Sequence, residues 1–219
     1  MFIVRSLTIL SFFFPLLSIA SEHSEQNTKK MYRQDLEALG VIYLDHLEYA
    51  IDKNTIPVIT RADLSVAEIK NLDAYIGCIQ RKEEVPWYMQ YMNDIVGYGI
   101  FADDDIKEGQ FIGEYTGMVF NSNMLVSIPC FSMKYVWNIN TPERYPDFTH
   151  ILYVDGRKKG NFTRSINHSF DPNVKALCIF EDKEWHLIYI ACKAIAKDQQ
   201  LLVDYGQDYW RNSSPLELK

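Results

Sequence analysis

The 219-residue sequence has few of the residue patterns that build metal and nucleophile centres. Its four cysteines form no Cys-x-x-Cys pair, its five histidines form no His-x-x-x-His pair, and it has no Gly-x-Ser-x-Gly motif. These absences argue against a thiolate zinc site, a metalloenzyme and a serine hydrolase. We expect no bound metal, and we interpret the cysteines as small buried hydrophobic residues; export would instead allow disulfides.

The sequence also lacks an excess of basic residues. It has 22 Lys and Arg against 29 Asp and Glu, a formal net charge of −7. This charge argues against direct binding to nucleic-acid phosphates and suits a cationic partner such as a Lys/Arg-rich peptide. The length and an apolar fraction of 47% fit one globular domain with additions.

No apolar run has the length of a stable membrane span. The run over residues 6–19 is interrupted by Pro15 and falls short of the ~20 residues that a spanning helix needs. With Arg5 before it and small residues up to Ala20, it has the three-part layout of a secretory signal peptide. We therefore expect residues 1–20 to be a signal peptide, with an uncleaved anchor as the alternative.

Residues 21–94 are predicted to form a helical flanking region. Apolar residues at helical spacing predict one long or kinked helix over residues 29–52. Ser65 and Glu68 have the spacing of a capping box and predict a second helix to about Ile79. Both helices are expected to cover the domain that follows.

Short β-rich runs follow one another after Pro86, each bounded by Gly, Asn, Asp or Pro. The letters "EDKE" at 181–184 predict a hairpin turn, and Asp103–Asp105 are predicted to lie in a solvated turn. Strands this short, with no long helices between them, predict a mostly β fold with flanking helices and several small twisted sheets.

Gly97 and Gly99 stand in "GYGIFA", which has the letters of a dinucleotide-binding fingerprint. That fingerprint must open a helix, whereas the residues that follow here predict a turn and a strand. The match is therefore set aside. What remains is a pair of glycines that allow the backbone to turn sharply or to approach a ligand closely.

Five segments, taken in order, resemble the successive signatures of SET-domain protein-lysine methyltransferases. Asn-His-Ser-x-x-Pro-Asn followed about thirty residues later by Asp-Tyr-Gly is the most specific part of the pattern. The segments are "GYG" at 97–99, "DIKEGQFIGEYTG" at 105–117, "KYVWNIN" at 134–140, "YVDGRKKGNFTRSINHSFDPN" at 153–173 and "LLVDYG" at 201–206.

The resemblance implies S-adenosyl-L-methionine as cofactor and a lysine-containing protein, basic and histone-like, as substrate. It casts Tyr205 as the catalytic tyrosine and Tyr115 as an aromatic wall of the lysine channel. The cofactor contacts that it implies are Gly97, Tyr98, Gly99, Asn167 and His168, with Tyr135 and Arg164 as further contacts and Tyr209 or Trp210 packing against the adenine.

The resemblance also implies the topology. Residues 95–206 would form the SET domain, with its C-terminal strand passing through a loop to lie beside the Asn-His-Ser segment, and residues 207–219 would close the pocket without zinc. Two positions depart from the family pattern. Phe170 stands where many members have a cysteine, and Val203 stands two residues before the catalytic tyrosine, where Phe or Tyr is frequent.

Two functional interpretations remain open at this point. The first is a protein-lysine methyltransferase, and the second is a catalytically silent module that keeps the fold and binds a basic peptide. Export of an enzyme that needs an intracellular cofactor suggests a bacterial effector delivered into a host cell. The alternatives are the bacterial cytoplasm and a membrane anchored by an uncleaved N-terminus.

Overall fold

The computed structural model describes residues 29–125, 134–139 and 152–210. The predicted signal peptide, Cys130 and residues 211–219 of the closing segment lie outside these ranges. The helices are α1 (Arg33–Ala38), α2 (Val66–Gln80), α3 (Ser122–Leu125) and α4 (Gln207–Trp210), with short 3-10 turns at Lys53–Thr55, Arg61–Asp63 and Phe162–Ser165.

Short strands dominate the described part of the chain, which confirms the prediction of a mostly β fold with several small sheets. The hairpin between the two longest strands turns at residues 181–184, as predicted. The strands are β1 (Ile42–Tyr43), β2 (Glu48–Tyr49), β3 (Trp87–Asn93), β4 (Gly97–Ala102), β5 (Phe111–Glu114), β6 (Met118–Asn121), β7 (Val136–Ile139), β8 (Leu152–Asp155), β9 (Lys159–Gly160), β10 (Asn167–His168), β11 (Val174–Glu181), β12 (Glu184–Ala191) and β13 (Leu202–Val203).

The long helix predicted over residues 29–52 is wrong. α1 ends at Ala38, and Gly40 follows with φ +79°, a conformation that ends a helix. Beyond it the chain is extended, with β1 parallel to β9 and β2 parallel to β6. These pairings supply the backbone hydrogen bonds that a helix would have made, and Leu44 and Leu47 are buried.

The second predicted helix is confirmed. α2 begins after Ser65, whose hydroxyl accepts a hydrogen bond from the Glu68 amide at 3.3 Å, while the Glu68 carboxylate accepts one from the Ser65 amide at 2.6 Å. This reciprocal pair satisfies two amides at the helix start. Leu72 and Ile79 are buried on the face of α2 that packs against β11 and β5.

The central sheet has the strand order β10-β13-β11-β12-β5. β12 lies between β11 and β5, pairs antiparallel with both, and is buried without a break over residues 187–191. Cys78, Cys178 and Cys192 are half-buried, so they are less enclosed than expected.

β13 is inserted between β10 and β11 and runs parallel to both. Asn167 pairs with Leu202, and Val203 pairs with His168 on one side and Val174 on the other. This is the arrangement that the resemblance implied for the C-terminal strand. It places Tyr205, which follows β13, directly beside the Asn-His-Ser segment.

Asn173 holds the inserted strand in place. Its side-chain amide donates to the Gln200 carbonyl at 2.8 Å and its side-chain oxygen accepts from the Leu202 amide at 2.8 Å. The Asn173 residue is 5% exposed, and both bonds are partly shielded from water. The turn at Pro172-Asn173 is thus a structural clamp.

We expect Asn173→Ala to lower the free energy of unfolding by about 2–4 kcal/mol, because two buried backbone groups lose their partners. Urea unfolding followed by circular dichroism measures this change. Asn54→Ala, which removes an exposed hydrogen bond to Lys183, is the control and should cost less than about 0.5 kcal/mol. Equal effects of the two substitutions would contradict the clamp.

Candidate active site

The two glycines of "GYG" lie at the start of β4, which pairs with β3 and opens no helix. The segment is therefore not a dinucleotide-binding fingerprint, as predicted. Gly97 has φ +77°, which a residue with a side chain rarely adopts. The Tyr98 carbonyl accepts a hydrogen bond from the Asn167 side-chain amide at 3.0 Å, so this turn and β10 are joined.

Gly99 forms the floor of a small polar cradle. A Cβ on Gly99 would lie 2.5 Å from the Gln200 side-chain nitrogen and 3.1 Å from that of Asn167. The Gln200 nitrogen is buried and makes no hydrogen bond within the described residues. Amide donors facing a backbone with no side chain suit the amino-acid head of a cofactor such as S-adenosylmethionine. No sequence motif pointed to Gln200.

His168 lies in an aromatic cluster beside this cradle. Its Nδ1 accepts a hydrogen bond from the Tyr205 amide at 3.2 Å, which assigns the neutral tautomer with the proton on Nε2. Its ring packs against Phe170, Trp210 and Tyr205 at centroid distances of 4.6, 4.9 and 5.4 Å. Tyr209 packs against Tyr205 at 4.7 Å. His168 therefore positions Tyr205 through the backbone.

Tyr205 donates its hydroxyl proton to the Ile166 carbonyl at 2.9 Å. Burial raises the pKa of this phenol well above its ordinary value of about 10, with the neighbouring Tyr209 and Tyr135 adding to the effect. The group is consequently a neutral phenol at physiological pH. Its orientation is fixed by a carbonyl from the segment that β13 pairs with.

Tyr115 is oriented in the same way. Its hydroxyl donates to the Tyr135 carbonyl at 2.7 Å, and burial raises its pKa well above 10. A Cβ on Gly156 would lie 2.9 Å from the Tyr115 hydroxyl oxygen, so the glycine makes room for this orientation.

Tyr135 and Arg164, expected as cofactor contacts, contact each other. The Arg164 guanidinium lies 3.9 Å from the centre of the Tyr135 ring, and its Nε donates to the Gly156 carbonyl at 2.6 Å. Tyr135 has φ +62°, an uncommon conformation for a bulky residue, which turns its carbonyl toward Tyr115. Both residues thus lie beside Tyr115, and their role as cofactor contacts stays a prediction.

Four aromatic rings pack together in a cluster that we call the aromatic box: Tyr115, Trp137, Tyr189 and Tyr205. Trp137 lies 6.3, 5.8 and 6.2 Å from the ring centres of the other three, in that order. Tyr115 and Tyr205 were expected here. Trp137 stands in the quoted "KYVWNIN", but no role was assigned to it, and Tyr189 carries no motif signal.

The described residues hold no cluster of three or more metal-ligating side chains. They also include no helix long and apolar enough to cross a membrane. Asp103–Asp105 lie in the turn after β4, as predicted, and Asp103 forms an ion pair with Lys30 at 3.2 Å.

Comparison with known proteins assigns this site to a family. The family model described as the SET domain matches residues 97–206, half of the chain. The chain belongs to the SET domain family. Over 129 residues it is 30% identical to histone-lysine N-methyltransferase EZH2 of Chaetomium thermophilum, a match that covers 52% of this chain and 8% of that protein.

Solved structures agree with this assignment. The structure of ATXR5 in complex with a mono-methylated histone H3.1 superposes with a TM-score of 0.57 at 22% identity, covering 80% of this chain and 85% of that one, and shows the shared fold. A Chaetomium polycomb repressive complex 2 bound to S-adenosylmethionine gives a TM-score of 0.50 at 26% identity, covering 64% and 18%.

Membership in the SET domain family confirms the expected cofactor and the expected enzyme class at the level of the family. SET methyltransferases use S-adenosylmethionine, and the relatives of this chain include proteins named histone-lysine N-methyltransferases. The chain spans less than a third of the length of the curated relatives that it matches.

We expect Gly99→Ala to weaken binding of S-adenosylhomocysteine by about tenfold or more, because the added methyl group displaces the two amides of the cradle. Isothermal titration calorimetry measures this affinity. Gly109→Ala is the control: its φ of +79° strains any side chain, but its surroundings are open and remote from the cradle. Wild-type affinity in Gly99→Ala would contradict the assignment of the cradle.

Proposed function

We propose that this protein is an S-adenosylmethionine-dependent protein-lysine N-methyltransferase. The observation that supports this most strongly is the position of Tyr205. It lies where the inserted β13 brings the polar cradle of Gly99 and Asn167 next to the aromatic box, with its hydroxyl held by the Ile166 carbonyl.

The cradle and the aromatic box bind different reaction partners. When bound, S-adenosylmethionine supplies an electrophilic methyl group on a positively charged sulfur. The turn at 97–99 and Asn167 hold the cofactor side, and the aromatic box surrounds the side chain of the substrate lysine. Fixing both partners at contact distance supplies most of the acceleration that such a transfer needs.

The substrate amine must be uncharged when it reacts, although its ordinary pKa is about 10.4. Burial among the rings of the box disfavours the ammonium form and lowers that pKa. Tyr205 is itself neutral, because burial raises its pKa. Its oxygen, whose proton is donated to Ile166, accepts weak C–H or N–H contacts and orients the reacting atoms.

The proposed substrate is a lysine-containing protein, with histones and other basic proteins as first candidates. The net charge of −7 favours a cationic partner over nucleic acid. The names of the relatives, histone-lysine N-methyltransferases, support the same class.

A catalytically silent module that binds a basic peptide is the second candidate. Such a module has no need for hydroxyls fixed at the junction of a cofactor cradle and a lysine channel. The hydrogen bonds that orient Tyr115 and Tyr205 therefore favour the enzyme.

We further propose that the protein is exported from a bacterium into a host cell, on the basis of the N-terminal signal layout. Both glycosylation sequons, at Asn161 and Asn167, are buried at 2% and 9% exposure, so a eukaryotic secretory route fits poorly. Fractionation of infected cells tests this. Recovery in the host fraction is expected, whereas exclusive recovery in the bacterial cytoplasm or membrane would contradict delivery.

We expect Tyr205→Phe to lose methyl transfer to core histones by about a hundredfold or more, because the oriented oxygen is removed at the reacting centre. Transfer of radiolabelled methyl groups measures the rate, and calorimetry should show cofactor affinity within about twofold of wild type. An undiminished rate would refute the role of Tyr205. Cofactor binding without transfer by the wild-type protein to any protein would favour the silent module.

A further inference from the structure

Lys30 and Met31 lie along the outside of the hairpin formed by β3 and β4, and we call these two residues the strap. The Met31 amide donates a hydrogen bond to the Met89 carbonyl at 2.8 Å, and the Met89 amide donates one back at 2.7 Å. Met89 pairs with Ile100 on β4, whose carbonyl accepts from the Leu201 amide at 2.8 Å. One row of backbone pairs thus joins the strap to the segment that leads into β13.

The Lys30 side chain reaches from the strap to the turn at residues 196–199. Its ammonium lies 3.8 Å from the centre of the Tyr88 ring, 2.8 Å from a carboxylate oxygen of Asp198 and 3.2 Å from one of Asp103. The Tyr88 hydroxyl donates to the same Asp198 oxygen at 3.0 Å. The ammonium therefore holds together two carboxylates that would otherwise repel each other.

Asp198 is the residue of this turn whose backbone is least favourable. Its φ is +64°, which is uncommon for a residue with a side chain. The Lys30 ammonium, together with the Tyr88 hydroxyl, lowers the pKa of Asp198, so the carboxylate stays charged. An exposed ion pair alone contributes little stability. Here the pair restrains a backbone conformation that the surrounding structure must enforce.

The turn leads directly to Gln200, two residues beyond Asp198. The same residue is reached from Lys30 through aromatic rings, because Tyr88 stacks on Phe101 at 5.3 Å and Phe101 forms a backbone bridge with Gln200. The buried Gln200 nitrogen is one of the two amides that face Gly99 in the cofactor cradle. The contacts of Lys30 therefore end at a residue of the cradle.

We propose, resting on the assignment of the cradle in the proposed function, that Lys30 is a positioning residue that holds Gln200 in place through Asp198. Lys30 acts from outside the cradle and not on the reacting atoms. An amide that is already in place reduces the ordering cost of binding a ligand. Loss of Lys30 should therefore weaken cofactor binding and leave the transfer step, which depends on the aromatic box, unchanged.

A second lysine supplies a matched control. Lys53 lies 4.2 Å from the centre of the Tyr49 ring and forms an ion pair with Glu184, whose carboxylate also accepts from the Tyr49 hydroxyl at 3.3 Å. The arrangement of lysine, tyrosine ring and carboxylate is the same as at Lys30. Its residues belong to elements that contribute nothing to the cradle.

Isothermal titration calorimetry of the full chain with S-adenosylhomocysteine tests the proposal. We expect Lys30→Met to raise the dissociation constant about threefold, which is the scale of a surface ion-pair network. Lys30→Arg should recover most of the affinity, because it keeps the charge and the ring contact. Lys53→Met should bind like wild type. On core histones, Lys30→Met should raise KM for S-adenosylmethionine by the same factor and keep the wild-type kcat.

Two further measurements separate positioning from a general loss of stability. At about 1 M salt, where the Debye length is about 3 Å, the difference between wild type and Lys30→Met should shrink. Asp198→Gly removes the carboxylate and keeps a residue that readily adopts a positive φ. In that background Lys30→Met should have a smaller effect than in wild type, because the two residues act together.

Wild-type affinity in Lys30→Met, an equal loss in Lys53→Met, or an undiminished effect of Lys30→Met in the Asp198→Gly background would overturn the role of Lys30. Each of these results would leave the methyltransferase function intact. An absence of S-adenosylhomocysteine binding by wild type would overturn the assignment of the cradle as well.

Discussion

The site depends on one pairing, the insertion of β13 between β10 and β11. Hydrogen bonds along both edges of this two-residue strand, reinforced by the Asn173 side chain, fix the segment that carries Tyr205. The Tyr205 amide then binds His168, and its hydroxyl binds the Ile166 carbonyl. Residues almost forty positions apart thus form one rigid unit. Backbone pairing and these buried side-chain hydrogen bonds together fix the position of Tyr205.

Burial gives the aromatic box its chemical character. It raises the pKa of Tyr115, Tyr189 and Tyr205, so the three phenols stay neutral. Neutral phenols in desolvated surroundings disfavour the charged form of a bound lysine. Their oxygen atoms can also accept weak hydrogen bonds. In the proposed reaction the site works by placement and desolvation, and no residue in it needs to ionise.

Much of this arrangement could be predicted from the sequence, because turns and motif order are local signals. The capping box of α2, the hairpin turn at 181–184 and the segments around Asn167 and Tyr205 each carry such a signal. The helix predicted over residues 29–52 failed because β1 and β2 gain their hydrogen bonds from distant strands, which local spacing does not reveal.

Some residues of the site could not be predicted from the sequence, for the same reason. Tyr189 and Gln200 reach the site only through cross-strand neighbours, Ala176 and Gly113 for the first and Gly99 for the second. The contacts of Arg164 with the Gly156 and Arg157 carbonyls and with the Tyr135 ring were likewise not indicated by the sequence, and its role as a cofactor contact stays a prediction. The direction of a side chain depends on tertiary packing, whereas a sequence motif specifies only the type of residue.

The central claim is that the inserted strand joins a cofactor cradle to a lysine channel at Tyr205. A crystal structure of the protein with S-adenosylhomocysteine tests it most directly. The account predicts the amino-acid head of the ligand against Asn167 and the turn at 97–99, with its sulfur facing the aromatic box. A ligand bound elsewhere, or a sulfur directed away from Tyr205, would contradict it.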